Sequence, residues 1–206
     1  AGMTDEPTRI STNVDFEKNG KQRSFLAVAK STNQSAYGTV TVPITVIKNG
    51  SGPTIFLSGG VHGDEYEGQI ALMKLGRKLE PEQVQGRVII VPSMNLPATL
   101  AGARCSPIDG LNLNRVFPGR SNGSITETIA HYVSHVLLPL ADIQCDLHSG
   151  GTTLEYIPCI IMNEQDDKAR ERRAYDALMA FGAPIALIDK SLDTTGVMET
   201  HCDRLG

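Results

Sequence analysis

The chain has no tryptophan, and tyrosine and phenylalanine, five of each, make aromatic residues only 5% of its 206 positions. Platforms on which nucleic-acid bases could stack are therefore scarce. A basic excess is also missing: 19 Lys and Arg stand against 23 Asp and Glu, for a net charge of −4, so the electrostatic footprint of a nucleic-acid binder is absent. No apolar run approaches the roughly eighteen residues of a membrane helix, and the N-terminus lacks the charged-then-apolar pattern of a secretory signal. The four cysteines, Cys105, Cys145, Cys159 and Cys202, contain no C-x-x-C pair. That removes a redox dithiol and a thiolate zinc knuckle, and the simplest expectation is a cytoplasmic protein with reduced thiols. Internal repeats and low-complexity tracts are lacking as well.

What is present suffices for one sizeable core, with 40% hydrophobic residues. Residues 1–38 are polar and rich in Asn, Ser, Thr and Lys, and are expected to form an N-terminal segment; Ala1-Gly2 ahead of Met3 reads as a scar of cloning. Residues 39–206 are expected to form the main domain. Residues 39–47 (TVTVPITVI) turn β-branched and predict a strand in which Pro43 favours an edge or a bulge. Residues 54–57 predict a short strand, and Ile70, Leu72, Met73, Leu75 and Leu79 recur at helical spacing until Pro81. Strands over 87–91, 143–147, 156–162 and 185–188 and a helix over 168–181 follow. This alternation predicts an α/β domain with a largely parallel, helix-covered sheet, whose ligand sites lie at the carboxyl ends of strands.

The stretch SGGVHGDEYEG, residues 58–68, closes the 54–57 strand in glycines and then presents a histidine and three carboxylates. A phosphate cradle would need bare backbone N–H groups, and Asp64, Glu65 and Glu67 would repel the phosphate. A metal site fits better. His62 and Glu65 stand in H-x-x-E spacing, which one helical turn brings to the same side, although alone this spacing is common on surfaces. His148, in QCDLHSGG (residues 144–151), also follows an apolar strand and so reaches the same sheet edge. Two imidazoles and one carboxylate are the ligands of many catalytic zinc sites, which keep a fourth position open. Asp146, two residues earlier on the strand, points to the same side as His148, either supporting it or serving as a polar edge residue. Between the two segments lies NLNRVFPG, residues 112–119, where Asn114 and Arg115 offer an amide and a forked cation suited to a substrate carboxylate. His131 and His135 share H-x-x-x-H spacing, but the apolar residues around them define another helix face, which places both in solvent.

With HGDE, NLNR and DLHSGG in this order, the chain resembles the succinylglutamate desuccinylase/aspartoacylase family of zinc hydrolases, from about residue 54 to 151 and more weakly onward. SPIDGLNLNRVFPG and DLHSGG look most like the branch that includes N-acetyl-diaminobutyrate deacetylases. The resemblance implies a zinc carboxypeptidase-like fold, with a mixed, largely parallel sheet, and Zn2+ held by His62, Glu65 and His148. It implies Asn114 and Arg115 as substrate contacts, and Arg104 as the arginine that polarises the scissile carbonyl. Asn112 departs from the family's aspartate behind the first zinc histidine, yet its oxygen can still accept the imidazole N–H. The implied activity is hydrolysis of the amide bond of an N-acylated amino acid; a peptide carboxypeptidase and a metal-binding homologue without turnover are the alternatives. The expected partner is that small molecule, not nucleic acid or a membrane, and self-association into a homo-oligomer is left open. The family's general base is a glutamate on a late strand. No matching strand follows His148 here, so the base is expected beyond Gly206 and the fold is expected to be incomplete at its C-terminus.

Overall fold

The structure, a computed structural model, describes residues 7–190 and 196–205. Ala1-Gly2 and Gly206 lie outside the described residues. Eight strands and five α-helices are described: β1 (Ile10–Ser11), β2 (Gly20–Thr32), β3 (Ser35–Asn49), β4 (Thr54–Gly59), α1 (Tyr66–Lys78), β5 (Gly86–Val91), α2 (Leu96–Ala101), α3 (Ile125–Tyr132), β6 (Ile143–Leu147), β7 (Cys159–Asn163), α4 (Lys168–Phe181), β8 (Ile185–Asp189) and α5 (Met198–Leu205). Six strands form one sheet in the order β1-β2-β3-β5-β4-β6.

The sheet is mixed, and its two halves differ in kind. β1, β2, β3 and β5 pair antiparallel, whereas β4 lies parallel between β5 and β6. The parallel half ends in the loops that carry HGDE and DLHSGG. Parallel neighbours need a crossover, and α1 supplies the one from β4 to β5. β7 and β8 form a separate two-stranded parallel sheet joined by α4.

The polar stretch before residue 39 contains two strands of the main sheet, β1 and β2, and β3 begins at Ser35. Its polarity belongs to the outer face. Phe25 is half exposed while Leu26 and Val28 are buried in the core with Ile10, the alternation of a strand with one wet face. Pro43 pairs with Phe25 of β2, and the register with β5 begins only at Thr45, so its missing N–H costs no ladder bond on that side.

α3 and the turn of π-helix after it, Val133–Leu137, cover one face, where Ile129, Val133 and Leu137 meet Val42, Val46, Phe56 and Ile89. α1 covers the other face. Its buried residues are Gly68, Gln69, Leu72 and Gly76, while Ile70, Met73 and Leu75 remain partly exposed. The apolar spacing locates this helix, but small side chains set its contact face by allowing the close approach.

His131 departs from the expectation of a solvated histidine. It is only 4% exposed, and its ring stacks on that of His135 at 4.0 Å. The residues outside α3 explain the burial. Gly119 packs against the main chain of Glu127 and His131, Cys202 and Leu205 of α5 pack on the core, and the π turn shifts the helical phase that the spacing assumes.

Candidate metal centre

The loop between β4 and α1 is fixed from both ends. Gly60 has φ +67°, and a Cβ there would stand 2.9 Å from Ser93 Cα, so only glycine fits without strain. The Gly59 and Gly60 carbonyls accept the Met94 and Asn95 N–H groups, both at 2.9 Å. Beneath the loop, Gln69 is 1% exposed. Its Nε2 donates to the Gly63 and Glu65 carbonyls at 3.2 and 3.0 Å, and its Oε1 accepts from Ser93 Oγ at 2.9 Å and Thr99 Oγ1 at 3.2 Å. Such a satisfied buried amide specifies one loop conformation. Gly68 lets α1 approach β6, since a Cβ there would lie 2.6 Å from Leu147 Cβ. That approach sets His62 and Glu65 beside His148.

Glu65 precedes α1 but makes no side-chain cap hydrogen bond; its carboxylate turns into the site instead. Oε1 lies 2.8 Å from His62 Nδ1, and Oε2 lies 2.8 Å from His148 Nδ1. The Ser149 N–H donates to Oε2 at 3.0 Å, and Arg104 Nη1 donates to Oε1 at 3.1 Å. His62 and Glu65 are each 4% exposed at the side chain, but His148 is 30% exposed. The cluster is walled on one side and open on the other.

The tautomer of His62 follows from its neighbours. Asn112 Oδ1 accepts the Asn114 N–H at 2.9 Å, which identifies that atom as the amide oxygen. It also meets His62 Nε2 at 3.1 Å, so Nε2 carries the hydrogen and a neutral ring leaves Nδ1 as a lone pair. That buried lone pair has no aligned hydrogen-bond partner and faces a carboxylate oxygen. Two electron-rich atoms so close, out of water, call for a cation between them. With His148, one ligand atom from each of the three side chains falls within 4.8 Å of the others, and the donor set suits a divalent metal of the zinc type.

The carboxylates set the charge of the cluster. Burial raises the pKa of Glu65, but its close contacts with His148 and His62 and the hydrogen bond from the Ser149 N–H outweigh it and hold the carboxyl far below its ordinary range. Burial lowers the pKa of His148, yet the Asp146 charge and the contacts with Asp146, Glu199 and Glu65 push it up to about 12. Asp146 Oδ2 stands 2.8 Å from His148 Nε2, and its Oδ1 accepts from Ser58 Oγ at 2.6 Å.

Of the residues singled out in the sequence, His62, Glu65, His148, Asn112, Asp146 and Arg104 come together here. Arg115 is exposed, and its Nη1 donates to the Asn114 carbonyl at 2.6 Å. Asn114 is buried, and its amide is engaged by α5: Oδ1 accepts the Met198 N–H at 2.8 Å, and Nδ2 donates to Glu199 Oε2 at 3.4 Å. Glu199 and Gln69 belong to the site although the motifs did not reveal them. Gln69 stands one residue after the SGGVHGDEYEG stretch, and its three-residue spacing from Leu72 was the only signal. Glu199 arrives from a distant helix, and nothing local in the sequence marks it.

Residues 51–206 match the family model of the succinylglutamate desuccinylase/aspartoacylase catalytic domain. The N-alpha-acetyl-L-2,4-diaminobutyric acid deacetylase of Halomonas elongata is 52% identical over 200 residues, covering 97% of this chain and 58% of that protein. Among solved structures, a succinylglutamate desuccinylase from Silicibacter sp. TM1040 has a TM-score of 0.93 at 43% identity, over 98% of this chain and 61% of that one. The product-bound ectoine utilization protein EutE (DoeB) of Ruegeria pomeroyi has a TM-score of 0.92 at 44% identity, over 97% and 61%. The chain thus spans about three-fifths of the length of these relatives.

Proposed function

The chain belongs to the succinylglutamate desuccinylase/aspartoacylase family, and on that premise we propose that it provides the metal-binding part of a zinc-dependent hydrolase that removes the acyl group from an N-acylated amino acid. The observation that carries this is the buried His62 Nδ1 lone pair facing Glu65 Oε1 at 2.8 Å, with His148 Nδ1 closing the set. His62, Glu65 and His148 would hold a zinc ion, which when bound would supply Lewis acidity toward the acyl carbonyl and water.

The chain's own residues have separable tasks. Arg104 reaches Glu65 with one N–H while its side chain is 52% exposed, so its other donors are available on the open side to hold the oxygen on which charge develops. Arg115 presents a forked cation for the substrate carboxylate, fixing which amide lies over the ligand set. Asn114 shares that role by anchoring the Arg115 guanidinium through its carbonyl. The deacetylase named among the relatives supports an N-acetylated amino acid rather than a peptide. The four free cysteines support a cytoplasmic setting; among the described residues no helix is long and apolar enough to cross a membrane.

The test is a comparison of kcat/KM for N-acetyl-amino acids and C-terminal peptides on the zinc-loaded protein, with Kd for the same compounds where turnover is slow. Preference for the N-acetyl-amino acids is expected. Preference for peptides would assign the site to a carboxypeptidase.

A further inference from the structure

We propose that Glu199 is a positioning residue, held by Asn114, that acts with Asp146 on the Nε2 side of His148 and keeps Nδ1 of that ring turned toward Glu65; this rests on the metal-ligand role given to His148 above. The two nitrogens of His148 have opposite surroundings. Nδ1 meets Glu65 Oε2 at 2.8 Å, while Nε2 lies 2.8 Å from Asp146 Oδ2 and 3.6 Å from Glu199 Oε1.

Asp146 and Glu199 reach the ring by different routes. Asp146 lies on β6 just before its target, has a side chain only 1% exposed and receives the Ser58 hydroxyl. Glu199 comes from the first turn of α5, and three contacts fix that turn. Asn114 accepts the Met198 N–H and donates to the Glu199 carboxylate, the Met198 side chain is fully buried, and the Phe117 N–H donates to the Gly196 carbonyl at 3.1 Å. A buried asparagine that places both polar ends on one helix start is a purposeful anchor, because each end would otherwise need its own partner.

At 3.6 Å the Glu199 oxygen is beyond a good hydrogen bond and acts through charge. One carboxylate behind a ligating histidine fixes its tautomer and raises its basicity. The second adds negative potential on the same side and opposes a ring flip that would present Nε2 to the site. Glu199 also ties His148 to the segment that carries Asn114 and Arg115, so the ligand side and the substrate side of the site share one connection.

Zinc affinity of the 206-residue protein, measured by competition with a chelator alongside the melting temperature of the metal-free form, tests this. Glu199→Gln keeps the size and the acceptor for Asn114 but removes the charge. It is expected to weaken zinc binding about tenfold at an unchanged melting temperature, and to cause no further loss in a His148→Ala background. Glu199→Ala is expected to weaken binding at least as much and to lower the melting temperature. Equal zinc affinity for the unaltered protein and Glu199→Gln overturns the proposal, as does an equal fold-loss with and without His148. Absence of zinc binding by the unaltered protein overturns the metal assignment beneath it.

Discussion

His62 and Asn112 meet through Nε2 and Oδ1 at 3.1 Å, and this contact aims the other imidazole nitrogen at Glu65. A neutral amide oxygen accomplishes the aiming without adding charge behind the ring. Asn112→Leu is therefore expected to weaken zinc affinity by about ten- to a hundredfold, and Asn112→Asp to keep or tighten it. A chelator titration of the three proteins checks this; equal affinities would detach Asn112 from the metal centre.

Gly68 brings α1 within reach of β6, and with it the two halves of the ligand set. Gly68→Val would drive its side chain into Leu147. A loss of about 1–3 kcal/mol in unfolding free energy is expected by urea titration, with weaker zinc binding because His62 and Glu65 move away from His148. Unchanged stability would show that the approach is looser than described.

Asp109 ties the loop after α2 to the start of α3. Its Oδ2 accepts the Thr126 N–H at 2.9 Å, and its Oδ1 accepts the Thr126 hydroxyl at 2.8 Å. Burial raises its pKa, but these bonds prevail and the net direction is downward. Protons therefore bind more readily to the unfolded chain, and the contribution to stability is present above the ordinary aspartate pKa and lost as pH falls through the lowered folded value. Asp109→Asn is expected to cost about 1 kcal/mol at neutral pH. Urea titrations at stepped pH should show that difference shrinking below about pH 4; a constant difference would remove the role of the charge.

Arg115→Lys keeps the charge and loses the fork. Poorer kcat/KM is expected for substrates with a free carboxylate and little change for amidated analogues. A matching loss for both classes would take Arg115 out of carboxylate recognition.

Much of the parallel half was legible because its signals are local. Short runs followed by glycine pairs mark β4 (TIFLSG) and β6 (IQCDL, ahead of His148-Ser149-Gly150-Gly151), and both lead into chemistry-bearing loops at the same sheet edge. The helix over 168–181 was likewise readable, from the Asp167 cap to Gly182 at φ +73°. β2 was hidden because one face of it meets water, so that average polarity masked the alternation of Phe25, Leu26, Ala27 and Val28. His131 was misplaced because burial there comes from segments packed outside α3, which helical periodicity cannot show. Glu199 is the sharpest case: its relation to His148 depends on the Asn114 anchor for α5, a contact between chain positions that no spacing rule connects.

Zinc content and affinity of His148→Ala against the unaltered protein provide the most direct measurement. About one zinc per chain is expected in the unaltered protein, and most of it should be lost from His148→Ala, because two ligands hold the ion far less tightly than three. Full zinc retention by that variant, or no zinc in either protein, would contradict the assignment of His62, Glu65 and His148 as one metal centre.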